Sequence, residues 1–233
     1  MSQLDQKNIR GFLKLAKSEN YKVFTRPFEL NIWGVRKDST VPNKFDDNIY
    51  VFWKDEKGNW DGKVFPATTD PGTFWLKTPM KELGTAIMKQ GQYIDAYAMG
   101  LHKGKPALVQ VGPITVFRDY DRDAVLDFNN GREETGMFAV NIHRAGADSK
   151  EVGQWSAGCQ VIPNEKAFDE FLALAERHKA RYGNKFSYGL VDERAYLRRV
   201  MRRGVYILGA VLILAAAYAG YQAYRNKPIL PKI

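Results

Sequence analysis

The chain has 233 residues, 45% of them hydrophobic, enough for one sizeable domain with a packed core and short appendages. Its single cysteine excludes an internal disulfide, so folding makes no demand on an oxidising compartment. The net charge of +9 does not mark a nucleic-acid face: eight basic and no acidic residues follow Glu193, leaving 27 basic against 26 acidic in residues 1–193. Residues 1–20 are polar and lack the apolar core of a signal peptide. Ile9, Phe12, Leu13 and Ala16 fall at helical spacing, which predicts a short amphipathic helix packing on the body.

From Tyr21 to Trp75 the pattern is strand-like. Phe28 to Trp33 alternates, as does the aromatic run Ile49 to Trp53, with turn residues at Lys37-Asp38-Ser39, Pro42-Asn43 and Lys57-Gly58-Asn59. Trp33, Trp53 and Trp60 are expected in core or hairpin packing, with a glycan-stacking surface as the alternative. Between Pro79 and Val116 short apolar runs (Ala86 to Met88, Ala107 to Val111, Ile114 to Phe117) are punctuated by Gly and Pro. His102 lies in a turn context, Gly100-Leu101-His102-Lys103-Gly104, where an exposed histidine is the ordinary expectation. Asp119, Asp121, Asp123 and Asp127 echo a calcium loop. The required glycine is Ala124, however, and the closing acid falls on Asn130, so a solvated hairpin tip is expected.

The chemistry concentrates further on. An apolar run, Met137 to Ile142, delivers His143, and Ser156-Ala157-Gly158-Cys159 follows, the cysteine sixteen positions after the histidine. A thiol attacks a carbonyl as its thiolate, and an imidazole is the side chain best suited to take the proton near neutral pH. Small residues before the sulfur admit substrate closely, and the N–H groups of Gly158 and Cys159 are candidates to face a developing oxyanion. A buried apolar cysteine beside an ordinary strand histidine is the competing reading.

This spacing resembles the signature of the L,D-transpeptidase catalytic-domain family. Ala67-Thr68-Thr69-Asp70-Pro71-Gly72-Thr73-Phe74 resembles the family's Thr-rich, Pro-Gly, aromatic start of an upstream strand, and the likeness runs from about Phe65 to Tyr188. The resemblance implies an α+β, mainly β, catalytic domain with a few helices, in which Cys159 is acylated and His143 is its base. It further implies that the backbone carbonyl of Arg144 orients the imidazole, that Gly158 helps form the oxyanion site, and that Trp155, Ser156, Ala157 and Gln160 lie against substrate. The implied partner is a peptidoglycan stem peptide, joined or cut through an acyl-thioester; no metal or organic cofactor is implied. The family's usual histidine stands at Ala157 here, and its Arg or Asn two places after the cysteine is Val161. His102, folding in from another strand, is a candidate for the imidazole missing at 157. A lysis hydrolase and a catalytically silent wall-binding module stay open as alternatives.

Pro163-Asn164-Glu165 opens a helix expected to run to about Tyr182, ended by Gly183, with Phe168, Phe171, Leu172, Leu174 and Ala175 as its buried stripe and His178 solvated. Phe186 to Val191 is the expected closing strand. Gly204 to Tyr224 is a charge-free stretch of 21 residues, long enough to cross a hydrocarbon core of about 30 Å. The expected organisation is therefore an N-terminal helix in 1–20, a catalytic domain in 21–193, a basic segment in 194–203, a transmembrane helix in 204–224 and a tail in 225–233. Five Arg before the span against three basic residues after it favour a cytoplasmic N-terminal domain, whereas a peptidoglycan substrate favours the opposite side.

Overall fold

In a computed structural model the described residues are 1–128 and 132–194. The expected transmembrane helix 204–224, its tail, all but Arg194 of the basic segment, and Asn130 lie outside them. Among the described residues no helix is long and apolar enough to cross a membrane.

The described chain runs β1 (Ser2–Gln3), α1 (Gln6–Glu19), β2 (Asn31–Arg36), β3 (Asp47–Lys54), β4 (Trp60–Ala67), α2 (Thr73–Lys77), β5 (Thr85–Met88) and β6 (Gly91–His102). It continues with β7 (Lys105–Gln110), β8 (Ile114–Asp119), β9 (Glu133–Gly136), β10 (Ile142–Arg144), β11 (Gln160–Ile162), α3 (Glu165–Tyr182) and β12 (Phe186–Asp192). The fold is mainly β, as expected. A nine-stranded mixed sheet has the order β1-β4-β3-β2-β12-β6-β7-β10-β11, and a smaller sheet has the order β5-β8-β9.

Asp5 caps α1 by accepting from Asn8 N at 2.7 Å. Ile9, Phe12, Leu15 and Ala16 are buried, with Leu15 replacing the half-exposed Leu13 of the expected stripe. Phe12 docks the helix on the sheet through Tyr50 and Phe52, with ring centroids 5.0 and 5.5 Å away. Trp33 and Trp53 are buried and Trp60, half-buried, packs edge-on against Phe52, so all three take part in core or hairpin packing. The expected strand at Phe28 starts later, at Asn31. Pro27 and a left-handed Phe28 make a turn first.

Three further expectations are corrected. Thr73 opens the short helix α2, not a strand, after Thr68 has paired with Val161 through reciprocal 2.9 Å hydrogen bonds. The run Met137 to Asn141 forms no strand, because Ala139 adopts φ 56° and the Gln110 side-chain carbonyl accepts from Phe138 N (3.0 Å) and Val140 N (3.1 Å) in place of a ladder. His178 is buried: Nδ1 accepts from Leu30 N and Nε2 bonds Lys185 O, both at 3.1 Å, because the last turn of α3 packs on those segments. Asn164 caps α3 by accepting from Ala167 N, Gly183 ends it, and Phe171 meets Phe65 in the main core.

Candidate active site

The site lies at one edge of the large sheet, where β10 and β11 run parallel with Ile142 opposite Gln160, His143 opposite Val161 and Arg144 opposite Ile162. Paired residues of a parallel ladder point to the same face, and faces alternate along each strand. Ile142 and Ile162 therefore join the main core, while Ala145, Cys159 and Val161 form a separate cluster on the opposite face, with Phe45 against it. His143, opposite Val161, lies on that same face.

The imidazole of His143 is fixed by its neighbour. Nδ1 lies 2.8 Å from the Arg144 carbonyl, which can only accept, so Nδ1 carries the hydrogen and Nε2 is left as the base. That Nε2 is buried and has no hydrogen-bond partner. Arg144 turns its side chain outward to Glu165 at 2.8 Å. The Cys159 sulfur accepts from Asn141 N at 3.4 Å and donates to Ala139 O at 3.6 Å, so the resting thiol is not hydrogen-bonded to His143.

Burial governs both protonation states. It pushes His143 down to about 4, with the neighbouring His102 and Lys103 acting the same way and the bond to Arg144 O opposing. It pushes the Cys159 thiol up to about 11 against the Asn141 N–H and the Lys103 charge. Near neutral pH the pair rests as thiol and neutral imidazole, with no thiolate stored in advance.

The loop before the sulfur is braced internally. Ser156 is fully buried; its hydroxyl donates to Cys159 O at 2.8 Å and accepts from Gly158 N at 3.1 Å. Gly158 N–H, expected to face an oxyanion, is thus engaged within the loop, and Ser156 is a brace instead of a substrate contact. Gly158 adopts φ 117° and passes so near the Ala86 carbonyl that a Cβ would strike it. Gln160 also points away from solvent, into the core. Ala157 is half-buried, and Trp155 is 44% exposed on the loop surface. Trp75 of α2 donates to Gln154 O at 3.1 Å, holding the loop from its other side.

Two residues outside the expected motif join the site. His102, at the end of the β6–β7 hairpin, stacks on His143 with centroids 4.2 Å apart and planes 15° from parallel. It reaches there because Lys103 (φ 49°) and Gly104 (φ 77°) make a tight two-residue turn, and because β7 pairs with β10. Asn141 connects the two sides: its N–H reaches Cys159 Sγ, and its side-chain amide lies 2.9 Å from His102 Nδ1. The turn residues around His102 were legible in sequence, whereas nothing in the spacing singled out Asn141.

Among the described residues no group of three or more His, Cys, Asp or Glu is arranged to hold a metal ion. Asp119 is fully buried at the end of β8, accepting from Asp127 N at 3.1 Å, which corrects the expectation of a wholly solvated hairpin tip. No family model, curated protein or solved structure matches the chain.

Proposed function

We propose that the chain is a cysteine acyltransferase or hydrolase acting on peptidoglycan stem peptides, in the manner of the L,D-transpeptidases its motif resembles. The observation that carries this reading is His143: Arg144 O orients it at 2.8 Å, and its Nε2 is free and buried on the same sheet face as Cys159. In the proposed reaction Cys159 Sγ attacks the stem-peptide carbonyl as its proton passes to His143 Nε2. The new C–S bond gives a tetrahedral oxyanion, for which the Cys159 N–H is the donor. Collapse breaks the C–N bond, His143 returns the proton to the departing amine, and an acyl-thioester remains. An amine then takes the acyl group in transfer, or water does in hydrolysis.

The test is incubation of the 233-residue chain, in detergent, with purified muropeptides. Mass analysis of the products separates joining from cutting. The reading requires that Cys159→Ala and His143→Gln abolish every product.

A second reading, a catalytically silent wall-binding module, is favoured by the thiol raised to about 11 and by its bond to Ala139 O. Ala157 and Val161, where the family carries substrate-holding groups, favour it too. It requires a Cys159 inert to thiol probes near neutral pH. We further propose that residues 204–224 anchor the chain in a membrane, which extraction with alkaline carbonate tests directly.

A further inference from the structure

Asn141 is buried, and each of its polar groups is engaged. Its backbone N–H goes to Cys159 Sγ at 3.4 Å, and its backbone carbonyl accepts from Gln160 N at 2.9 Å. Its Oδ1 accepts from Gln110 N, and its Nδ2 lies against His102 Nδ1, each at 2.9 Å. A backbone N–H only donates, so the Gln110 bond fixes which end of the amide is oxygen. The NH2 end must then face His102, and His102 Nδ1 must accept. His102 is therefore held as the neutral ring with its hydrogen on Nε2, whereas His143 has its hydrogen on Nδ1. Protonating His102 would set an N–H of the ring against an N–H of the amide.

This assignment gives the stacked pair a role, resting on the thiol–imidazole reading above. When Cys159 gives up its proton, His143 becomes a cation with the His102 ring face 4.2 Å away. A second cation there would oppose proton transfer, whereas a neutral aromatic face stabilises the imidazolium. We infer that Asn141 and His102 are positioning residues for the nucleophile, with Asn141 holding His102 uncharged so that His143 can accept the Cys159 proton. Burial disfavours a cation at either ring, and Lys103, the charged group acting on both, adds to that penalty.

The three histidines of the 233 residues make the test tractable in the whole chain. Nitrogen-detected imidazole NMR near neutral pH is expected to show His102 as the neutral Nε2–H form and His143 as the neutral Nδ1–H form. Asn141→Asp puts a carboxylate oxygen against His102 Nδ1 and should make that ring cationic. Alkylation of Cys159 by iodoacetamide should then slow about tenfold or more near neutral pH, recovering as pH rises and His102 deprotonates. His102→Arg, made at the half-exposed end of a hairpin, should slow alkylation without that recovery. A wild-type thiol without imidazole-linked reactivity overturns the proposed function and this inference with it. A reactive wild-type thiol, with the same pH profile in Asn141→Asp and His102→Arg, overturns this inference alone. So does a wild-type His102 found cationic or hydrogen-bearing at Nδ1.

Discussion

Tyr188 donates its hydroxyl to Gln160 Oε1 at 2.9 Å, on the core side of the strand that leaves Cys159. The Gln160 amide also reaches Gly158 O at 3.3 Å and Thr69 O at 3.5 Å, so this side chain ties the Cys159 loop to β12 and to the segment after β4. Tyr188→Phe leaves the Gln160 oxygen buried without that donor. The expected loss is about 1–3 kcal/mol of unfolding free energy, measured in urea. The pH profile of Cys159 alkylation should stay where it was, because neither group faces the sulfur. A profile displaced toward higher pH would assign Gln160 a part in activating the thiol.

Gly158 is required by its surroundings. Its φ of 117° suits glycine alone, and a Cβ there meets the Ala86 carbonyl of β5. Gly158→Ala is expected to lower stability by about 2–4 kcal/mol and to displace the loop that presents Cys159. Thermal unfolding reads the first effect and product formation the second. Gly153→Ala is the control for a left-handed glycine with open space around it, and should lose less.

Periodicity made the frame legible. The alternating run Ile49 to Trp53 lies in β3 and the helix opened by Pro163-Asn164-Glu165 is α3, while the short apolar runs between Pro79 and Val116 became β5, β7 and β8. The Arg144 carbonyl also lies where the resemblance implied, beside His143 Nδ1. Side-chain facing was less legible, for a physical reason. Ser156 and Gln160 flank the cysteine in sequence, but alternation and a tight turn point both inward, where hydrogen bonds within the loop and to the core use them up. Asn141 and Gln110 act by substituting side-chain amides for backbone partners. No spacing pattern records that, because it depends on where Ala139 breaks the strand.

Acid should destabilise the chain through His143. Its folded value, about 4, lies below the ordinary 6.5, so between these the unfolded chain binds more protons. The stability this burial permits is present above 6.5 and is lost as pH falls toward 4, by up to about 3 kcal/mol. Urea unfolding of the wild type and of His143→Gln across this window should show the difference between them narrowing or reversing toward the acid end. A difference independent of pH would mean that the ring is solvated.

The opposite slope belongs to a strut beneath the site. Arg36 is buried with its Nε 2.7 Å from Asp70, and it donates through Nη2 to Met88 O at 2.9 Å and to Thr69 O at 3.3 Å. One guanidinium faces Asp70, Asp192 and Asp47, so burial and the neighbouring carboxylates push Asp70 up to about 7 despite the cation. A raised carboxyl favours the folded state when protonated: that stability is fully present below 3.8 and is lost as pH rises through about 7. Asp70→Asn should remove this slope and leave that of His143 exposed. Arg36→Met leaves Asp70 buried without its cation and should lower stability by about 3–5 kcal/mol, much of it restored in the double variant with Asp70→Leu. Thr69 O accepts from both Arg36 and Gln160, so loss of the guanidinium should also loosen the loop that holds Cys159. Hydrogen exchange of the Gly158 and Gln160 amides, faster in Arg36→Met and recovered in the double variant, is the measurement that ties this buried ion pair to the Cys159 loop.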